Sequence, residues 1–136
     1  MPTLSLTVEP ATPAHSPTFS LLRSATGGPT RLVVAGELDI ATLSEFDQAL
    51  RRADADADAG MVVVDLRLVE FVDSSVAALL VAADRRVRRA GGRLVVVRGP
   101  AEVEWFFALI GIERQLELVD LPPAETGAPA REGMPA

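Results

Sequence analysis

Met61 to Arg98 reads MVVVDLRLVEFVDSSVAALLVAADRRVRRAGGRLVVVR, and the reading of these residues decides the fold. Met61-Val62-Val63-Val64-Asp65-Leu66 is an almost continuous β-branched run, which predicts a central strand covered on both faces. Val76, Leu79, Leu80, Ala83 and Val87 then recur at helical spacing, predicting a helix from about Ser75. Ala77, Ala78 and Ala82 on that helix are small enough for another backbone to come close. Gly91-Gly92 is a strong helix stop, and Leu94-Val95-Val96-Val97 begins a second buried strand. Strand, helix and strand in succession point to an α/β layer.

Upstream, Phe19 to Ser24 and Arg31 to Ala35 flank Thr26-Gly27-Gly28-Pro29, which cannot continue a strand and predicts a hairpin. Gly36-Glu37-Leu38-Asp39 follows. A helix with Leu43, Phe46, Leu50 and Ala53 on one face is predicted to start at Thr42, since Thr42 and Glu45 have capping-box spacing. The alternating Ala/Asp run from Ala53 to Ala59 reads as a weak helix end and a solvated spacer. Alternate carboxylates do not converge on a metal unless a loop folds around it.

Downstream, Gly99-Pro100 turns into a helix with Val103, Phe106, Phe107 and Ile110 on one side, stopped by Gly111. Trp105 falls off that stripe, one turn from Leu109, and either covers the sheet edge or stands in an exposed patch. Leu116 to Leu121 closes the domain. Arg85, Arg86, Arg88 and Arg89 crowd the end of the preceding helix, either complementing its dipole from a solvated face or offering a patch to an acidic partner. Residues 1–17 read as a flexible leader in which Leu4-Ser5-Leu6-Thr7-Val8 has the pattern of an edge strand. Residues 122–136 read as a disordered tail, leaving 18–121 as a single folded domain.

Composition removes whole classes of chemistry. All 13 basic residues are arginine, cysteine is absent, and the only histidine is His15 in the leader. A P-loop, a Schiff base and a two-component receiver each need a lysine; thiolate sites need cysteine; triads and multi-histidine metal sites need core histidines. No cofactor, metal or enzymatic activity is expected. The net charge of −6 argues against nucleic acid. The longest apolar run, Val76 to Ala83, has eight residues against the roughly 20 that span a bilayer, so no membrane insertion is expected. With no basic, apolar signal-peptide pattern at the start, the protein is expected in the cytoplasm.

What remains is Phe71-Val72-Asp73-Ser74-Ser75, an acid and two hydroxyls at a helix start. Unpaired N–H groups and the positive end of the macrodipole favour a phosphate there. A hydroxyl so placed serves either as a charge-controlled switch or as a helix cap.

The order hairpin, Gly-Glu-Leu-Asp, helix, Val-rich strand, Asp-Ser-Ser, helix, Gly-Gly, strand, helix resembles the STAS domain of the bacterial anti-sigma factor antagonists. The resemblance runs from about Phe19 to Asp120. Gly36-Glu37-Leu38-Asp39 matches that family's signature at the end of the second hairpin strand, and Phe71 to Ser75 matches its phosphorylation loop. The resemblance implies a mixed β-sheet backed by helices, with Ser75 as phosphoserine, Asp73 as its neighbouring acid and Ser74 as a loop-shaping hydroxyl. It further implies a surface of Glu37, Asp39, Thr42, Asp73, Ser74, Ser75 and Val76 that binds an anti-sigma factor with ATP-dependent serine kinase activity. Phosphorylation would break that complex and a phosphatase would reset it. Where the family usually has glycine after the acceptor, this chain has Val76, which adds apolar surface at the helix start. Val76 and the off-stripe Trp105 favour the alternative implied function, a non-phosphorylated scaffold subunit of a transporter or stress-signalling assembly.

Overall fold

The computed structural model describes residues 16–23, 28–58 and 60–123. β1 (Thr18–Arg23) and β2 (Thr30–Glu37) form the predicted hairpin pair, antiparallel, with Leu21 opposite Leu32. The proposed edge strand at Leu4–Val8 and nearly all of the leader and tail lie outside the described residues. From β2 the chain alternates α1 (Leu43–Ala57), β3 (Met61–Phe71), α2 (Ser74–Arg89), β4 (Arg93–Val97), α3 (Ala101–Ile110) and β5 (Leu118–Val119). The five strands lie in sequence order, and every pair after the first is parallel. The result is the mixed sheet backed by helices that the resemblance implies.

The pleat explains the core. Leu32 and Val34, Val62, Val64 and Leu66, and Leu94 and Val96 meet Phe46, Leu50 and Ala53 of α1 and Val76, Leu80, Ala83 and Val87 of α2 in one buried cluster. Val103 and Phe107 of α3 join it. Each large apolar side chain buried there contributes roughly 1.5–3 kcal/mol. Phe19 stacks on Phe46 with ring centroids 5.9 Å apart, tying the hairpin to α1. Val63, Val95 and Val97 alternate with the core positions and are also buried, so the central strands are apolar on both faces.

Asp65 shares the second face, only 2 % exposed. It accepts hydrogen bonds from Arg67 at 3.0 and 2.8 Å and from Arg31 at 3.3 Å. Burial works against its charge, but the hydrogen bonds from Arg67 and the positive charges of Arg67 and Arg31 outweigh that and lower its pKa.

β3 runs five residues beyond the predicted Leu66. In the register with β2, Val33 pairs with Asp65 but Ala35 with Leu68, and Gly36 pairs with Val69 but Glu37 with Phe71. β3 therefore carries an extra residue at each of two bulges. Each bulge shifts the inward parity by one, so the positions facing the main core cluster run 62, 64, 66, then 69, then 72. Leu68 and Phe71 are left outside, 60 % and 48 % exposed. Gly36 sits at the second bulge with φ +96°, a backbone conformation that a side chain would strain.

Two helix ends differ from expectation. α1 continues to Ala57 and takes up most of the Ala/Asp run, ending where Asp58 adopts the left-handed conformation at φ 50°. Ile110, assigned to the inner stripe of α3, is 41 % exposed at the last position of the helix before Gly111. α2 ends as predicted: Gly91, at φ +91°, directs its amide to Arg88 O and Gly92 to Val87 O, at 3.0 and 2.9 Å. Two of the four arginines before it serve the fold, Arg86 pairing with Asp54 and Arg88 with Asp84 and Glu117. Ala78 and Ala82 face solvent rather than a packed backbone. Among the described residues, no helix is long and apolar enough to cross a membrane.

Candidate functional site

The parallel pairing of β2 and β3 carries both sequence motifs to the same end of the sheet. Glu37 closes β2 opposite Phe71 near the end of β3, and the Leu38 amide donates to Phe71 O at 2.9 Å. Gly36-Glu37-Leu38-Asp39 and Phe71 to Ser75 are therefore adjacent turns.

Each turn starts a helix by the same device. Asp39 accepts from the Ala41 and Thr42 amides at 3.0 and 3.2 Å, and Thr42 Oγ1 accepts from the Asp39 amide at 3.1 Å. This capping box starts a 3₁₀ turn (Ile40–Thr42) that runs into α1. The expected box between Thr42 and Glu45 does not form, because the Thr42 hydroxyl is already engaged with Asp39.

In the second turn Asp73 is the cap. Its Oδ1 accepts from the Ser75 and Val76 amides at 3.0 and 3.3 Å and from the Ser75 hydroxyl at 2.5 Å. The choice between cap and exposed hydroxyl is thereby resolved in its first half: the cap belongs to Asp73, not to a serine. Ser74 and Ser75 are the first two residues of α2, so Ser74 is helical and exposed rather than part of a loop. Ser75 is half-buried, its hydroxyl aimed back at Asp73.

Asp73 also joins the two turns. Its Oδ2 accepts from the Ile40 amide at 3.0 Å across 33 residues of sequence. Burial opposes the Asp73 charge, yet the Ser75 hydroxyl and the amides of Val76, Ile40 and Ser75 hold its carboxyl below the usual aspartate range.

Of the residues singled out in the sequence, Asp39 with Thr42 and Asp73 with Ser75 form hydrogen-bonded pairs, and Glu37 and Ser74 flank them. Val76 is the exception. Its side chain is fully buried in the core, so it adds no apolar surface at the helix start. Ile40 has no signature in the sequence, because a backbone amide carries none. Its side chain is nonetheless 73 % exposed beside Asp73.

Next to the loop, Phe71, Val72, Val103, Trp105 and Phe106 line an open apolar groove of about 510 Å³, with Glu102 on its rim. Trp105 is 67 % exposed, so of its two predicted placements the exposed patch is the one found. Among the described residues, no three or more His, Cys, Asp or Glu side chains are grouped to hold a metal ion.

A family model described as "Mlab, STAS domain" matches residues 21–120. Among solved structures, an anti-sigma factor antagonist from Mycobacterium paratuberculosis is similar with a TM-score of 0.68 and 24 % identity, over 82 % of this chain and 92 % of that one. The anti-sigma factor antagonist SpoIIAA in its unphosphorylated form gives 0.61 at 19 % identity, over 75 % and 88 %. The Bacillus cell fate determinant SpoIIAA in its phosphorylated form gives 0.56 at 18 %, over 75 % and 91 %. At these identities the likeness is one of fold. No curated protein matches the chain.

Proposed function

The chain belongs to the STAS domain family, and from that membership we propose that it acts as an anti-sigma factor antagonist switched by phosphorylation of Ser75. The observation that carries this reading is the Ser75 hydroxyl itself, on the second residue of α2, half-exposed, at the seam of the two motif turns. The unmodified protein binds an anti-sigma factor in the cytoplasm through Glu37, Asp39, Thr42, Asp73 and Ser74 around that hydroxyl. The partner's serine kinase activity then phosphorylates Ser75, and a phosphatase restores the binding form.

Charge makes this a switch. A phosphate adds about −1.5 to −2 charges to a surface that already holds Asp73 and Asp39. A partner fitted closely to that surface is repelled, and each 1.4 kcal/mol lost lowers affinity about tenfold. We assign the protein no catalysis of its own, since a serine nucleophile needs a base and the chain has no lysine or cysteine and only His15. The test is incubation with ATP and an anti-sigma factor of serine kinase activity from the same organism, followed by peptide mapping. Phosphate on Ser75 supports the reading; an unlabelled Ser75 beside a labelled control antagonist overturns it.

A second reading, a permanent scaffold subunit that is never phosphorylated, draws on the exposed Trp105 and the apolar groove beside the loop. Such a subunit binds its partner with the same affinity whatever the state of Ser75. Transporter genes as neighbours favour it; a kinase and a sigma factor favour the first reading.

A further inference from the structure

We propose that Asp73 is a relay: phosphate on Ser75 expels its carboxylate from the start of α2 and so releases the Ile40–Thr42 turn from the second loop. The relay rests on Ser75 being the acceptor and adds an internal consequence of its modification. One carboxylate performs two tasks. Through Oδ1 it caps α2 and takes the Ser75 hydroxyl proton in a 2.5 Å hydrogen bond. Through Oδ2 it holds the Ile40 amide at 3.0 Å. Whatever moves it for the first task breaks the second.

Phosphorylation moves it. The γ-phosphoryl group of ATP passes to Ser75 Oγ: the Oγ–P bond forms, the bond from that phosphorus to the bridging oxygen breaks, and ADP leaves. The hydroxyl proton goes through a base of the kinase to solvent. Oγ then has no proton to share, and a contact of 2.5 Å between two oxygens becomes repulsive. The new phosphate is anionic and sits against a carboxylate that is itself held ionised. It also accepts well from backbone N–H groups at a helix start, and the Ser75 and Val76 amides that Asp73 now uses are the nearest. The phosphate therefore takes over the cap while Asp73 swings out toward water.

α2 keeps its start in this exchange; the cross-link is what is lost. Ile40 loses its acceptor, and the 3₁₀ turn is then held to the second loop by the Leu38 to Phe71 bond alone among the backbone bonds described between them. The Asp39–Thr42 capping box stays intact, since it makes no use of Asp73. Phosphorylation thus alters both motif turns, not only the one that carries the phosphate.

The experiment compares amide exchange by NMR in the full chain with serine or genetically encoded phosphoserine at position 75. Leu38, whose amide bonds to Phe71 O, is the internal reference. Phosphoserine is expected to speed exchange at Ile40 by about tenfold or more while Leu38 changes by less than about twofold. Asp73→Ala should speed Ile40 as much without phosphate, and phosphoserine should add nothing in that background. Asp73→Asn, whose one side-chain oxygen can cap α2 but whose amide nitrogen then faces the Ile40 N–H, should keep the start of α2 and still leave Ile40 exchanging fast in the unmodified chain. Ile40 exchange unchanged by phosphoserine, or Ile40 and Leu38 rising together, overturns the relay. Because the phosphoserine is built in, this result stands whether or not any kinase labels Ser75, so the relay and the acceptor reading fail separately.

Discussion

Ser75 and Asp73 are tied twice, the amide and the hydroxyl of the serine both donating to Oδ1 of the aspartate, at 3.0 and 2.5 Å. The residue proposed to be modified thus already leans on a negative charge. Substitutions at Ser75 should consequently separate the switch from the fold.

Ser75→Ala removes one hydrogen bond and leaves the Asp73 cap on the amides. It should cost about 0.5–1.5 kcal/mol in urea unfolding and keep anti-sigma factor binding. Ser75→Asp adds a second carboxylate beside the first and should weaken that binding about tenfold or more, read by calorimetry. Equal affinities would contradict the electrostatic switch and favour the scaffold reading.

Val76 should matter to stability and not to modification. Val76→Ala opens a small cavity beneath the start of α2 and should cost about 2 kcal/mol in urea unfolding. Val76→Gly, the residue usual in the family, should cost about 1 kcal/mol more through helix propensity. Neither should change the rate at which the kinase labels folded protein, since the side chain does not reach the surface. A faster rate with glycine would mean that the kinase needs backbone freedom there.

Acid should find Asp65. Its pKa in the folded chain lies below the ordinary value of 3.8, despite burial, because of Arg67 and Arg31. The unfolded chain therefore binds this proton first as pH falls. The stabilisation is fully present above the ordinary aspartate range and disappears as pH drops through the lowered folded value. Asp65→Asn should cost about 1–3 kcal/mol near pH 7 and flatten the fall of the urea midpoint below about pH 4. An unchanged acid limb would assign acid sensitivity to other groups, of which Asp73 is the next candidate by the same sign.

Trp105 separates stability from docking. It is largely exposed, so Trp105→Ala should change folding stability by less than about 0.5 kcal/mol. A partner seated in the groove of Phe71, Val103 and Phe106 should lose about 2 kcal/mol or more of binding from the same substitution. Binding indifferent to Trp105 would confine the interface to the two motif turns.

Much of the fold is legible in the sequence. The β-branched run at Met61, the spacing of Val76 to Val87 and the stop at Gly91-Gly92 have simple local causes, and each sits where its cause places it. The acid and hydroxyls of Asp73 to Ser75 mark a helix start by composition alone. The two bulges of β3 are different, because register against β2 creates them and a single strand's pattern does not encode its partner. They hide Val69 and Val72 in an apparently broken alternation and leave Phe71 outside. Thr42 has the right spacing to Glu45 and yet bonds to Asp39, since capping depends on which acceptor the backbone reaches first. Ile40 enters the site through its amide, which every residue except proline possesses.

β5 consists of Leu118 and Val119 and ends the parallel part of the sheet. A strand this brief offers an approaching chain almost no ladder to copy, and it pairs with β4 at Val96 and Val97. The brevity is a safeguard. Growth by strand addition, the route by which open sheets aggregate, has little purchase on this border. The protein should therefore tolerate high concentration on that flank without recruiting copies of itself, leaving recognition to the turns at the sheet's end.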